Sequence, residues 1–285
     1  GVYLPLQHQG VVVLEMELSP LEGEWWRVEE SLSTKGVEDV DEISFREDED
    51  GDLVVTGRMG DHHFAIVSRL VGWPSSQNDG DGVSHQRWAD LRLDSKLKLA
   101  KVVAIAGGEW GSDPLAAAKE KVGRASVDLG QTRREHEALW AKRWSRGLVM
   151  DHPALQTLTR AAMFQLLCLT REELPAGIPP CGLTGKNWSG SVFWDLDTWM
   201  QHPLDFFHPD LGRSLCQFRI QGFGEAQQRA EERGYGGADY PWQSAHSGVP
   251  LITKEVGELQ RHVTAGVARS LWHHYRVSGD LNWLR

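Results

Sequence analysis

Two segments of this chain carry residue types that suit carbohydrate. The first, Gly182 to Met200 (GLTGKNWSGSVFWDLDTWM), holds Trp188, Trp194 and Trp199 beside Asp195 and Asp197. A sugar ring presents an apolar C–H face that packs on an indole, while its edge hydroxyls need carboxylate or amide partners. An Asp directly after a Trp lets one stretch of backbone supply both. The plainer reading is a helix cap at Asp195 with the tryptophans in the core; the cap and ligand roles are compatible. The second segment, Gly234 to Gly248 (GYGGADYPWQSAHSG), repeats the recipe with Tyr240, Trp242, Gln243, Ser244 and Ser247 among glycines. Its plainer reading is a surface loop with one buried Trp. A third stretch, Gly257 to Tyr275, places His262 and Thr264 at the start of a helix whose apolar face is Val263, Val267, Leu271 and Tyr275. His262 either faces a pocket or is a solvated helical His.

Other chemistries lack their signatures. His62-His63 and His273-His274 are neighbours in sequence, and adjacent positions diverge on a strand or helix, so neither pair makes a metal site. Asn78 to Gly82 (NDGDG) has calcium-loop letters without the terminal Glu and reads as a turn. Cys168, Cys181 and Cys216 are far apart and outside CxxC spacing, which indicates neither a disulfide framework nor zinc. No phosphate-binding glycine loop, GxSxG or HExxH occurs. We expect no cofactor and no metal. Thirty Lys+Arg against forty Asp+Glu give a net charge of −10, which argues against nucleic acid or an anionic membrane as the main partner. No apolar run approaches the ~18 residues of a membrane span.

The elements that must position the two Trp-bearing segments fall into halves. Over residues 1–110, Val11 to Leu14, Ile43 to Phe45, Leu53 to Thr56, His63 to Leu70 and Leu97 to Ala106 read as strands. Asp50-Gly51 is a hairpin signal, and Trp73 to Gly82 reads as a polar loop. This suggests a β-sandwich. The pattern then turns helical. Asp113-Pro114 opens a helix to about Ala125, Thr132 to Arg146 is a second, and Asp151-His152-Pro153 opens a third. The third carries Leu155, Leu158, Ala162, Leu166 and Leu169 as one expected buried face. Helices follow at roughly 195–206, 209–221, 225–233 and 254–277. Leu174 to Val192 and Gly234 to Thr253 are long loops, and loops above ~12–15 residues in a compact domain are usually functional. Alternating short and long connections suggest a barrel of helix pairs with the long loops gathered at one end.

The letters of GLTG…GSVFWDLDTWM, HPDLGRSLCQFRI, GEAQQRAEERGYGGADYPWQSAHSG and ELQRHVTAGVARSLWHHYRVSGD resemble the catalytic region of glycoside hydrolase family 65. The resemblance is specific over Asp151 to Arg285. Lys98 to Val122 and Glu135 to Trp144 resemble the end of the family's N-terminal sandwich and its helical linker. It implies a multidomain β-then-α chain: an incomplete β-sandwich at 1–110, a helical linker at 111–150, and the first part of an (α/α)6 barrel at 151–285. It implies that Trp194 and Asp195, with Trp242 and Gln243, line the subsite for a terminal glucose, with Phe193, Leu183, Asp197, His262 and Thr264 as further candidates. The family often carries Glu where Gln243 stands, His where Ser191 stands and Asp where Gly266 stands. These are departures.

The resemblance also implies an inverting mechanism, in which a carboxylic acid protonates the glycosidic oxygen while an activated water attacks from the opposite face. The two carboxyl groups of an inverting hydrolase lie about 6.5–9.5 Å apart. Asp195 and Asp197 sit two apart and do not face each other on a helical turn, so they are not assigned as that pair. The expected activity is hydrolysis of a terminal α-linked glucose, as in trehalose-, kojibiose- or glucosylgalactose-like substrates. The alternatives are a phosphorylase of the same family and a non-catalytic carbohydrate-binding protein. Gly1 in place of a start Met, and a helix pattern only beginning at GDLNWLR, read as an excerpt of something longer. The general acid is then expected past Arg285 in a DEYH-like loop, the isolated chain is expected to be silent, and Val267 and Leu271 are expected to lack partners.

Overall fold

Small and β-branched residues at alternate positions build the amino-terminal sheets. The computed structural model describes residues 1–20, 25–33, 35, 40–73, 77–80, 84–107, 113–182, 187–251, 257 and 259–285. It divides into two units, Gly1–Lys142 and Arg143–Arg285. In the first, β1 (Val2–Tyr3), β2 (Val11–Leu18), β4 (Val40–Glu47), β5 (Leu53–Met59), β6 (His62–Val71) and β9 (Leu97–Gly107) form a six-stranded antiparallel sheet in the order β1-β2-β9-β6-β5-β4. A second sheet holds β3 (Trp26–Ser33), β8 (Ser84–Leu91) and β7 (Gln77–Gly80) in the order β3-β8-β7.

One face of the large sheet offers Val11, Val13, Val54, Ala65, Val67, Val102, Ala104 and Ala106 to Ala118, Val122 and Ala125 of α1 (Pro114–Ser126). Those three helical positions recur at 4 and 3 residues, so they share one face. Leu18, Val28 and Leu99 form another cluster, with Trp26, Trp73, Leu91 and Leu97 against it. A buried Arg87–Glu30 ion pair joins β8 to β3, and Ser68 of β6 donates to Glu30.

The β4–β5 hairpin turns where Asp50-Gly51 indicates. Gly51 has φ +74°, its N–H donates to the Asp48 carbonyl at 3.0 Å, and Asp48 Oδ1 accepts from the Asp50 and Asp52 amides. The sequence reading passes over β3 and β8, and Gln77–Gly80 is a strand inside the expected loop. The Glu30–Arg87 pair explains part of this, because two buried charges interrupt the apolar alternation that marks a strand. Asp113 caps α1 by accepting from the Ala116 amide at 3.0 Å. Asp113→Ala is expected to lower stability by about 1 kcal/mol in urea unfolding; an unchanged midpoint would contradict the cap.

Helix α2 (Leu129–Trp144) runs to the division between the units. The second unit holds α3 (Pro153–Leu169), a 3-10 turn (Asn187–Gly190), β10 (Val192–Phe193) and a π-turn (Leu196–Met200). Then come α4 (Gln201–Phe207), α5 (Pro209–Gln221), α6 (Phe223–Glu232), β11 (Gln243–Ser244), α7 (His262–Ser278) and α8 (Leu281–Leu284). Within the opening Asp151-His152-Pro153, His152 caps α3, its Nδ1 accepting from the Leu155 amide. The buried face of α3 is Met163 and Leu167, while Leu158 is 66% exposed and Leu155 is also exposed. Packing selects the neighbouring row of the helix, and a spacing rule does not distinguish adjacent rows of apolar residues. Val267 is buried against Ala226, Tyr240 and Val263, and Leu271 packs against the same group. Residues 259–261 precede α7 as a turn, so the helix begins later than expected.

His273 and His274 share one partner. Their Nδ1 atoms lie 2.9 and 2.7 Å from the two oxygens of buried Asp205. Adjacent helical positions do diverge, but one carboxylate is wide enough to meet both rings. Among the described residues, Asp48, Asp50 and Asp52 are the acidic or imidazole groups that lie close enough to share an ion. Asp48 is paired with Lys119, and Asp52 with Arg69. No helix among the described residues is long and apolar enough to cross a membrane.

Candidate functional site

The two long loops meet in a short antiparallel ladder. Val192 pairs with Ser244 and Phe193 with Gln243, joining β10 to β11. The first loop is held close by Gly177. A Cβ there would lie 2.6 Å from Val192 Cγ2 and 2.8 Å from Phe218, so any larger residue would push β10 away. Because the pairing is antiparallel, Trp194, after Phe193, and Trp242, before Gln243, leave the ladder at the same end. Both indoles are half-buried against one cluster of Ala226, Tyr240, Val263 and Val267. Phe193 is buried and meets Trp242 edge-to-face at 5.1 Å.

The Trp194 backbone is fixed by the π-turn. Its carbonyl accepts from the amides of Asp197 and Thr198 and from Thr198 Oγ1. Such turns are rare and concentrate at functional sites. Asp195 stands at its start, half-buried. Its side chain makes no cap hydrogen bond, so the plain cap reading does not hold. Neither a hydrogen bond nor an ion pair engages its carboxylate among the described residues.

Asp197 has the opposite situation. It is 1% exposed, and Arg219 of α5 donates to both its oxygens, Nε at 3.0 Å and Nη2 at 2.6 Å. Burial raises its pKa, with the Arg219 charge and hydrogen bonds opposing the rise. Both oxygens accept from Arg219 and are out of solvent, so Asp197 ties the π-turn to α5.

Arg219 also donates to the Phe193 carbonyl at 3.2 Å, and its own carbonyl accepts from Tyr240 Oη at 2.8 Å. One buried guanidinium and its backbone therefore hold both loops. Burial pushes the Tyr240 hydroxyl up to about 12. The sequence reading passes over Arg219, yet a signal exists. Leu211, Leu215 and Arg219 recur every four residues, so the arginine falls on the buried face of α5, where a charge requires a partner.

Gln243 is 8% exposed. Its Nε2 donates to Ser191 Oγ, which in turn donates to the Trp188 carbonyl. Among the described residues, Gln243 Oε1 is buried with no hydrogen-bond partner. An unpaired buried acceptor costs about 1–3 kcal/mol, and a sugar hydroxyl is a donor that matches it. His262 is exposed and meets Trp194 edge-to-face at 4.9 Å. Thr264 Oγ1 accepts from the Tyr240 amide at 2.9 Å, tying the second loop to α7. Asp239 reinforces that loop by accepting from Arg229, Arg233 and Arg261. Leu183 lies outside the described residues. A cavity of about 490 Å³ is lined by Thr264, Tyr235 and Arg261 and by none of Trp194, Asp195, Trp242 or Gln243.

Residues 160–285 match the family model described as the glycosyl hydrolase family 65 central catalytic domain. This segment belongs to family 65. A kojibiose hydrolase of Flavobacterium johnsoniae is 30% identical over 206 residues, covering 68% of this chain and 30% of that protein. A protein-glucosylgalactosylhydroxylysine glucosidase of Dictyostelium discoideum is 31% identical over 158 residues, 53% of this chain and 22% of that one. A kojibiose phosphorylase of Halothermothrix orenii is 30% identical over 167 residues, 53% and 21%. The chain thus spans less than a third of each of these relatives. A solved structure of a protein assigned as a kojibiose phosphorylase, from the human microbiome, superposes with a TM-score of 0.84 at 16% identity, over 99% of this chain and 40% of that one. That likeness extends to the β-rich sheets followed by helices. Within the family 65 segment, two departures from the resemblance stated above, Ser191 and Gln243, are in direct contact.

Proposed function

We propose that this chain forms the glucose-gripping wall of an inverting glycosidase that acts on a terminal α-linked glucose of a disaccharide or glycoconjugate. The observation that carries the reading is the β10–β11 ladder, which brings an aromatic and a hydrogen-bonding group from each loop to one place. Trp194 and Trp242 supply faces for a pyranose, Asp195 an accepting carboxylate, and Gln243 Oε1 a buried acceptor in need of a donor. The matches to proteins named as kojibiose and glucosylgalactosylhydroxylysine hydrolases support the substrate class. The second unit is on this reading part of an (α/α)6 barrel.

These residues hold the sugar and do not cleave it. Asp197 is locked in an ion pair and lies two positions from Asp195, so the two do not form the acid and base that inversion requires. The chain alone is therefore expected to bind glucose without releasing it from kojibiose. The similarity to a phosphorylase leaves the attacking group to the test. The whole enzyme, incubated with kojibiose with and without orthophosphate, is expected to release glucose in both. Turnover only when phosphate is added, giving one glucose and one glucose 1-phosphate per kojibiose, would overturn hydrolysis. Absence of any turnover would leave a binding protein.

A further inference from the structure

We propose that Trp188 is the stacking platform for the second sugar ring of the substrate, outside the ring held by Trp194 and Asp195; the inference rests on the glucose site proposed above. Three observations carry it. First, Trp188 belongs to the aromatic group of the site. Its ring meets Phe193 at 5.0 Å and Trp242 at 6.5 Å, both edge-to-face. It therefore extends the indole wall of Trp242 by one ring. Second, it is 50% exposed while Phe193, in the same group, is buried. The aromatic group leaves this indole in solvent beside the ladder that joins the loops, where it can receive an apolar sugar face.

Third, the backbone of Trp188 is left-handed, with φ +63°. Glycine or asparagine adopts that conformation at little cost, whereas a bulky residue is strained there. The strain is held in place from both sides. The Ser191 amide and Ser191 Oγ each donate to the Trp188 carbonyl, and Gly190 at φ +72° completes the turn. Ser191 in turn accepts from Gln243. The same hydrogen bonds that seat Gln243 therefore fix the angle of Trp188. A glycine would take this turn without strain, whereas the indole gains edge contacts to Phe193 and Trp242 and leaves half its surface open to solvent; such strain clusters where a side chain is used.

A terminal glucose gripped by Trp194, Asp195, Trp242 and Gln243 leaves its linkage oxygen directed to the next ring. Trp188 flanks Trp242 and not Trp194, whose ring partners are Trp199 and His262. The ring that it serves is thus the one beyond the terminal glucose on the Trp242 side. It would set preference for a disaccharide over free glucose.

The test is calorimetric titration of the 285-residue chain with glucose and with kojibiose. Trp188→Ala is expected to leave glucose affinity within about twofold and to weaken kojibiose at least about tenfold, and Trp188→Phe is expected to restore most of the loss. Trp188→Gly provides the structural control. It relieves the left-handed strain, so it should melt above Trp188→Ala while losing kojibiose to the same extent. An equal loss for both sugars, or an unchanged kojibiose affinity in Trp188→Gly, would overturn the platform. Failure of the unaltered chain to bind glucose would instead overturn the site on which the platform rests.

Discussion

Arg219→Met is expected to lower the stability of the second unit by about 3–5 kcal/mol and to abolish glucose binding. Removing one partner of a buried ion pair leaves the other charge unpaired, and that loss is of this size. Arg219 and Asp197 are both almost fully buried and bidentate. The substitution also removes the donor to the Phe193 carbonyl, so β10 loses a tether and the ladder to β11 loosens. The pH dependence has a definite sign. Burial already raises the Asp197 pKa, and loss of the opposing guanidinium raises it further. A raised folded-state value contributes stability below the ordinary carboxylate range and loses it as pH climbs through the raised value. The deficit of the variant in urea unfolding should therefore be smaller near pH ~4 than near pH ~8. A deficit that grows in acid would contradict this assignment. The double variant Asp197→Leu/Arg219→Met should recover part of the stability, since apolar replacement of a buried pair is often neutral or better. It should not recover sugar binding if the Phe193 tether matters.

Asp195→Asn is expected to weaken glucose binding by about 10- to 100-fold while leaving the melting temperature unchanged. A hydrogen bond to a charged group contributes about 1.5–3 kcal/mol, and each 1.4 kcal/mol is about tenfold in affinity. The unusual part is the absence of a stability cost. The Asp195 side chain caps nothing, so the fold has no use for its charge. Its neighbour two residues on has the reverse profile, where substitution should affect folding first. Fluorescence titration and a thermal melt of the two variants, Asp195→Asn and Asp197→Asn, separate ligand from anchor. If Asp195→Asn melts lower and binds normally, the roles have been exchanged.

Much of the secondary structure is legible because local signals agree with packing. Asp113-Pro114 opens a helix, Asp50-Gly51 turns a hairpin, and Leu97 to Ala106 is a strand. The failures have two causes. β3 and β8 are passed over because Glu30 and Arg87 satisfy each other in the interior, and a pairing across 57 residues leaves no local mark. The face of α3 is misjudged because apolar residues occupy two adjacent rows. In the site, the aromatic and polar composition of both loops is visible in the letters, but their convergence is not. That depends on the ladder between Phe193 and Gln243, fifty residues apart, and on Arg219, which belongs to neither loop. The opposite states of Asp195 and Asp197 are equally hidden, since the DxD letters treat them alike. Two of the three positions where the chain departs from the family resemblance, Ser191 and Gln243, turn out to be one contact. A neutral hydroxyl–amide pair stands there, so these two departures read as a single coupled change, apart from the one at Gly266.

The most direct test of this account is a crystal structure of the chain soaked with glucose. One pyranose should lie between Trp194 and Trp242, with hydroxyls within hydrogen-bond distance of the Asp195 carboxylate and of Gln243 Oε1. A sugar seated against one loop alone, or in the cavity beneath Tyr235 and Arg261, would contradict it.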